Sequence, residues 1–235
     1  LGKFIAFHNY RATINAEFEG FPQYTTEGAK PTSHYIPRFR NVYRQETDFL
    51  RGYAAGFGAE PNRETNKEGF GAELSNQLLS TKETGVWNVN SHMMGETIPK
   101  ESNLVSLDPE KTDAWGIPLL NIDVDYEGKD EKMIQDFYEQ FSEMYEKSGF
   151  VNIKTNDNGR RPGNDIHEMG GVRMGKNPKT SLLNAWNQMH ECKNVFVTDG
   201  ACMTSTSTQN PSLTFMAITA RAANYAIRQM KKGLI

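Results

Sequence analysis

The sequence predicts an α+β protein, and three observations lead to this prediction. Residues 103–107 and 119–126 alternate apolar and polar side chains, which is typical of strands in an antiparallel sheet. Residues 130–147 place apolar side chains at steps of three and four, which gives a helix with one apolar face. A second long helix is predicted over 213–232, with an apolar face and basic residues in its last turns.

The first third of the chain is predicted to be mainly extended. Residues 1–20 contain short runs rich in aromatic and β-branched residues, which favour strand or strand-turn structure. Residues 34–37 are predicted as extended because a proline ends them. The Gly-rich segment 52–71 lacks the GxGxxG spacing of a dinucleotide-binding loop, so it is predicted as a Gly-rich loop or irregular strands. Residues 72–84 are predicted as a short helix.

The remaining elements are predicted from caps and turn residues. Asp130 is predicted to cap the first long helix, and Gly149 marks its end. Residues 155–165 read as a polar loop rich in Gly, Pro and Asn. Residues 194–198 (NVFVT) are predicted as a short buried strand, and residues 199–211 as a loop of small polar residues.

Composition narrows the class of protein. The chain has 235 residues, which suits one large domain or a domain plus part of another. Its net charge of -3 gives no reason to expect nucleic acid or an anionic membrane as partner, so a neutral substrate is expected. No stretch reaches the ~20 apolar residues of a membrane span. Because it starts without Met or a signal-peptide pattern, we expect a piece of a longer protein. The compartment, cytoplasmic or periplasmic, is left open.

Metal chemistry is not predicted. His167 and Glu168 could begin an HExxH motif, but Gly171 stands where the second histidine would be needed. The two cysteines, Cys192 and Cys202, fit neither a zinc motif nor a CxxC motif, and are predicted as free thiols.

Three segments near the C-terminal end carry residues suited to chemistry: 167–175, 194–201 and 208–214. His167 has glycines nearby that allow other groups to approach closely. Asp199 follows an apolar strand, where ligand-contacting residues are common in α/β sheets. Each feature also has a purely structural interpretation: a loop histidine, a turn after a strand, or a helix cap.

The third segment opens the last predicted helix. Asn210 or Ser212 can cap it, and Pro211 suits its first turn. The unpaired N–H groups of such a helix start can bind an anion or an electron-rich atom.

Taken together and in this order, the three segments resemble the C-terminal signature of the glucose-methanol-choline (GMC) oxidoreductase family. Within that family, the sequence resembles the sugar-oxidising branches most. That family carries a segment like HxxGTxRMG, then a strand ending in DGS or DGA, then NP at a helix start. The matching residues are His167, Gly170, Arg173, Met174, Gly175, Asp199, Gly200, Ala201, Asn210 and Pro211. Gly171-Val172 departs from the pattern by lacking the threonine hydroxyl.

The resemblance implies an architecture. Residues 1–190 would form the substrate-binding domain, an antiparallel sheet with helices packed on one face. Residues 191–235 would supply the last strand and helix of an FAD-binding domain whose N-terminal part is missing here. That helix would then have an uncovered apolar face, so self-association or local disorder of this part is expected.

The resemblance also implies FAD-dependent oxidation of a CH–OH group, of a sugar or glycoside, with hydride transfer to the flavin. His167 would be the catalytic base and Asn210 its catalytic partner on the substrate oxygen. FAD would be bound mainly by the absent N-terminal half. The cofactor-binding residues in this chain would be Asp199, Gly200, Ala201, Pro211, Ser212 and Leu213.

Gln209 is predicted to contact a sugar hydroxyl of the substrate. Arg173 is predicted either to contact the substrate or to form a structural ion pair. His8 is predicted as a structural contact near the domain join, and His92 is given no role. Two other functions remain open: a non-catalytic carbohydrate-binding module of the same fold, and a subunit that completes a separate flavoprotein. The isolated chain is expected to be inactive.

Overall fold

The computed structural model describes residues 1–20, 34–61, 69–79, 86–163 and 166–235. Within these ranges the chain forms two antiparallel sheets, three α-helices and a short 3₁₀ helix over Gly200–Cys202. The strands are β1 (Lys3–Ala6), β2 (His8–Asn9), β3 (Ala12–Phe18), β4 (His34–Ile36), β5 (Tyr53–Pro61), β6 (Trp87–Glu96), β7 (Leu104–Thr112), β8 (Pro118–Asp123), β9 (Val151–Asp157) and β10 (Met169–Gly171). The helices are α1 (Ala72–Leu79), α2 (Gly128–Lys147) and α3 (Ser212–Lys231).

The larger sheet has the order β4-β5-β6-β3-β9, and β2 pairs with the end of β6. Successive side chains of a strand point to opposite faces, so the register separates two sets of residues. One set, here called the core face, includes Ala12, Ile14 and Ala16, which are buried. The other set, here called the polar face, consists of Thr13, Asn15, Glu17, Gly56, Gly58, Glu60, Asn88, Asn90 and His92.

Helix α2 covers the core face. Its buried side chains Met133, Phe137, Phe141 and Tyr145 pack with Ile14 and other apolar residues of the sheet in one cluster. Full burial of one such side chain contributes roughly 1.5–3 kcal/mol relative to leaving it exposed. The helix and the apolar residues of β3, β5 and β6 therefore make the main core of the protein.

The start of α2 differs from the prediction by two residues. The N-cap is Glu127, and the carboxylate of Asp130 reaches back to accept a hydrogen bond from the Glu127 N–H at 2.8 Å. Asp130 thus acts as the third residue of a capping box and not as the cap itself. Gly149, with φ of +80°, follows the helix end as predicted.

The smaller sheet has the order β10-β1-β7-β8. Strands β7 and β8 form an antiparallel hairpin that is longer than predicted, because β7 continues through Pro109 to Thr112 before the turn at 113–117. The prediction of an α+β protein with antiparallel sheets is confirmed, although the strands divide into two sheets.

Three local predictions were wrong. Residues 53–61 of the Gly-rich segment form a regular strand, β5, because β6 pairs with it along its length and β4 pairs with residues 55–57, while 62–68 lie outside the described residues. Strand β9 runs to Asp157, since β3 pairs with residues predicted as loop. Residues 194–198 are not a strand, because only an isolated bridge from Phe196 to Gln188 pairs with them. The predicted helix over 72–84 is confirmed for 72–79, and 80–85 lie outside the described residues.

Helix α3 packs loosely against the described residues. Of its 20 residues only Ala222 is buried, while Leu213, Met216 and Met230 are more than 60% exposed. The uncovered apolar face predicted for this helix is therefore confirmed. Self-association or local disorder of this part stays a prediction. Within the described ranges, no helix has the length and apolar character that crossing a membrane requires. Cys192 and Cys202 are free thiols, as predicted.

Candidate active site

The segment that begins at His167 is folded tightly against the first strand. His167 itself has a φ of +70°, a left-handed conformation that non-glycine residues rarely adopt. Gly170 has a φ of +94°, and a Cβ there would lie 2.1 Å from the Phe4 carbonyl oxygen, so only glycine fits. This close approach lets β10 pair with β1, with Ala6 opposite Met169. The pairing brings His167 next to the residues that follow β1.

The imidazole of His167 contacts a second histidine. The ring centroids of His167 and His8 are 4.8 Å apart, with an angle of 66° between the planes. His8 is completely buried, and neither of its ring nitrogens has a hydrogen-bond partner among the described residues. The buried Nδ1 of His167 has none either. Buried polar atoms without partners are uncommon in folded proteins and often mark functional positions.

Both histidines are shifted towards the neutral form. Burial, and after it a positive charge on His167, lower the pKa of His8 to about 4. Burial also lowers the pKa of His167, while the carboxylate of Glu168 raises it. A neutral imidazole can accept a proton, so His167 is available as a base near neutral pH.

A row of stacked rings continues from His8 across the polar face. Tyr10 stacks on His8 at 5.6 Å, and His92 stacks on Tyr10 at 5.9 Å. His92 lies over Gly56, where an added Cβ would lie 2.2 Å from a ring atom. Burial lowers the pKa of His92 as well. The polar face therefore carries a connected row of aromatic groups that ends at His167.

The loop that carries Asn210 is attached to the same sheet. Tyr35 lies opposite Gly56 in the register, and its hydroxyl donates to the carbonyl oxygen of Thr208 at 3.2 Å. Burial raises the pKa of Tyr35, while its hydrogen bonds with Thr208 and Gln209 lower it. Gln209 therefore lies beside the Tyr35 hydroxyl, and the exposed Asn210 follows it. His167 and the Asn210 loop are joined to one sheet through these contacts, and their catalytic roles stay predictions.

The Asp199 turn packs against the His167 segment. The Asp199 carboxylate accepts a hydrogen bond from the Ala201 N–H at 3.0 Å, which caps the 3₁₀ helix. The Val172 N–H donates to the Ala201 carbonyl at 3.0 Å. A Cβ on Gly200 would lie 2.5 Å from the Glu168 carbonyl oxygen, so this residue must be small. Three of the predicted cofactor-binding residues are thus held beside His167.

The start of α3 is the other predicted cofactor-binding element. The N-cap is Pro211, and no side chain caps the helix, so neither Asn210 nor Ser212 takes the role predicted for it. The Phe215 N–H donates to the Pro211 carbonyl at 3.0 Å and is the first N–H with a partner four residues back. The N–H groups of the first turn, including those of Ser212 and Leu213, lack such a partner and carry the positive end of the helix dipole. The Phe215 ring would lie 3.2 Å from a Cβ on Gly200, which places the helix start against the Asp199 turn.

Arg173 lies in a different environment. Its guanidinium lies 3.6 Å from the centre of the Phe4 ring, a cation–π contact. Together with Lys3 it lowers the pKa of the Glu101 carboxyl, mainly through the hydrogen bond from Lys3. These residues line a cavity of about 420 Å³ with residues 178–182. Among the described residues Arg173 makes a cation–π contact and no ion pair, so the ion pair considered as its structural role is not confirmed, and its role towards a substrate stays a prediction.

Sequence reasoning missed the ring contacts around His167. The sequence predicts a structural role for His8 and none for His92, because the long-range pairing of β1 with β10 has no local signal in the sequence. One local signal was available: His8 and Tyr10 alternate in a strand-like segment, so their side chains share a face.

Comparison with known proteins identifies the family. The family model described as GMC oxidoreductase matches residues 99–219, slightly more than half of the chain. The chain therefore belongs to the GMC oxidoreductase family.

Its relatives are dehydrogenases and oxidases of alcohols and sugars. The 2-methyl-1,2-propanediol dehydrogenase of Mycolicibacterium austroafricanum is 29% identical over 97% of this chain and 42% of its own length. The fructose dehydrogenase large subunit of Gluconobacter japonicus is 26% identical over 80% of this chain and 35% of its own length. Among solved structures, pyridoxine 4-oxidase from Mesorbium loti has a TM-score of 0.44 and 14% identity, over 98% of this chain and 44% of that chain. The chain thus spans less than half the length of these relatives.

Proposed function

We propose that this chain is the catalytic, C-terminal portion of an FAD-dependent oxidoreductase that acts on a CH–OH group of a sugar or a related polyol. Family membership supports the reaction class, and the names of the relatives, a propanediol dehydrogenase and a fructose dehydrogenase, support the substrate class. We further propose that residues 1–190 bind the substrate and that residues 191–235 complete the FAD-binding domain.

The observation that carries the proposal is the environment of His167. Its Nδ1 is buried and has no hydrogen-bond partner in the part of the chain that the structure describes, and burial lowers the pKa of the ring. A hydroxyl that reaches this imidazole can donate its proton to a ring nitrogen, and the oxygen is left with the negative charge that weakens the neighbouring C–H bond. General base catalysis of this kind contributes about 10²–10⁴-fold to the rate.

Asn210 is proposed to orient the substrate oxygen. An amide offers donors that do not titrate, so it holds the oxygen in the same way at every working pH. Its loop is attached to Tyr35 through Thr208, and Gln209 beside it offers a further amide to a sugar hydroxyl. Such positioning reduces the entropic part of the barrier.

The residues present fit a flavin. The N–H groups of the first turn of α3 lack acceptors within the helix, and the Asp199 turn packs beside them through Gly200. The N–H groups of Ser212 and Leu213, at the helix start that Pro211 begins, would hold an electron-rich edge of the ring. Asp199, Gly200 and Ala201 would hold the chain that carries its phosphates. When bound, the flavin would accept the hydride of the carbinol carbon.

The test uses the complete flavin-loaded enzyme and the variants His167→Ala and Asn210→Ala. We expect His167→Ala to lower kcat by about 10²–10⁴-fold, because the base is removed, with the flavin still bound. Turnover with a panel of sugars and polyols and the flavin absorption spectrum are measured together. His190→Phe is a matched control, because His190 contacts Ser181 and lies outside the proposed site. Normal turnover in His167→Ala would exclude this residue as the base.

A further inference from the structure

His8 is the buried group that the proposed reaction does not yet use. The side chain is completely buried, so neither a solvent molecule nor a substrate can touch it from outside. Both of its ring nitrogens lack a hydrogen-bond partner among the described residues. Leaving such a group unpaired is unfavourable for folding, so its presence needs an explanation other than packing.

The contact with His167 supplies that explanation. The two rings lie 4.8 Å apart between centroids and meet at 66°, so the edge of one ring faces the other. The nitrogens lie on the edge of an imidazole. Since His8 is buried, it can act on a substrate through His167, whose ring it contacts.

We infer that His8 is a positioning residue, an inference that rests on the proposed role of His167 as the base. When His167 takes the proton of the substrate, it becomes an imidazolium. A ring nitrogen of His8 then accepts a hydrogen bond from His167 and stabilises this imidazolium. In this step the O–H bond of the substrate breaks and an N–H bond forms on His167. A bound flavin would supply the acceptor for the hydride that leaves the carbinol carbon as its C–H bond breaks. His8 neither gains nor loses a proton.

The neighbours of His8 suit an acceptor that stays neutral. Tyr10 stacks on one side of His8, and His92 supports Tyr10, so the ring has a fixed orientation. Burial, and after it a positive charge on His167, lower the pKa of His8 to about 4, so His8 stays neutral when His167 takes a proton. The proton taken from the substrate therefore stays on His167.

The charged groups around the pair do not replace His8. Glu96 lies opposite His8 in the register, but its carboxylate lies 3.8 Å from both Arg38 and Arg51. Glu168, next to His167, is exposed, and its carboxylate raises the pKa of His167 without a hydrogen bond to the ring among the described residues. His8 is the buried acceptor in contact with His167.

The experiment compares His8→Phe with His8→Gln in the complete flavin-loaded enzyme. Phenylalanine keeps the ring shape and removes both nitrogens, whereas glutamine keeps an acceptor oxygen. The pKa of His167 is measured by NMR of labelled histidines, together with kcat and KM. For His8→Phe we expect a lower pKa of His167 and a kcat reduced by roughly tenfold, which is less than the loss of the base itself would cause. KM should change by less than about twofold, because His8 does not touch the substrate, and His8→Gln should recover most of both effects.

A matched control is His34→Phe. His34 lies in the same sheet and meets Phe57 edge to face at 5.4 Å, but its register partner belongs to the core face. The variant His34→Phe should leave the pKa of His167 and kcat unchanged. If His8→Phe matches the wild type in both measurements, or if His8→Gln is as impaired as His8→Phe, the inference is wrong.

Two further results separate possible causes of failure. If His8→Phe does not fold, NMR of the unmodified enzyme tests the inference instead. The ¹⁵N chemical shifts of His8 must change with the titration of His167 if a nitrogen of His8 faces the His167 ring. If His167→Ala turns over normally, the proposed function fails. If His167→Ala is inactive while His8→Phe behaves as wild type, only the role of His8 fails.

Discussion

The two faces of the larger sheet have opposite properties, although they are made from alternate residues of the same strands. The core face is apolar and covered by α2, and its residues pack into one cluster. The polar face carries asparagines and His92, and at one end it leads through Tyr10 to His8 and His167. Both ring nitrogens of His8 and the Nδ1 of His167 are buried and lack a hydrogen-bond partner among the described residues. The first face stabilises the fold, while the second holds polar groups in arrangements that folding alone would not favour. This division is expected when a functional site is supported by a rigid sheet.

The largest stability effect is expected on the core face. Phe137 is completely buried between α2 and the sheet, so Phe137→Ala should lower the free energy of unfolding by about 3–5 kcal/mol. Met216 on α3 is 68% exposed, and Met216→Ala should change the free energy of unfolding by less than about 0.5 kcal/mol. Denaturant unfolding of both variants tests the difference. Equal losses would mean that α3 belongs to the same core.

On the polar face, the contribution of His8 to the free energy of unfolding is expected to depend on pH. The folded pKa of His8 is about 4, below the ordinary 6.5, so the folded state disfavours the charged ring. Stability from this group is complete above about pH 6.5 and is lost as the pH falls towards 4, by up to about 3 kcal/mol. Burial raises the pKa of Asp130 to about 6, which acts in the opposite direction over this range. Denaturant unfolding at several pH values should therefore show a smaller acid loss in His8→Phe than in the wild type, and parallel curves would contradict the burial of a neutral His8.

The two faces also differ in how well the sequence predicts them. Helix α2 was predicted within two residues at its start, because the apolar spacing of 130–147 is a local signal. The segment with His167 was identified from its motif, and its residues lie beside the predicted Asp199 turn. The contact of His167 with His8 depends on pairing between strands about 160 residues apart, and no local pattern encodes it. The strand expected over 194–198 failed for the related reason that a strand needs a partner to pair with.

The smallest expected effect on stability is the difference between substitutions at two glycines of the polar face. A methyl group on Gly56 would lie 2.2 Å from the His92 ring, so Gly56→Ala must displace that ring or the strand and should cost about 1–3 kcal/mol. Gly58, two residues further along β5, has open space above it, and Gly58→Ala should cost little or even stabilise the strand. Thermal unfolding compares the two variants, and histidine NMR shows whether His92 moves. Because His92 supports Tyr10 and His8, Gly56→Ala should also shift the His8 resonances, whereas Gly58→Ala should not. If both variants leave the histidine spectrum unchanged, the row of rings does not transmit a displacement, and the orientation of His8 is fixed by its burial alone.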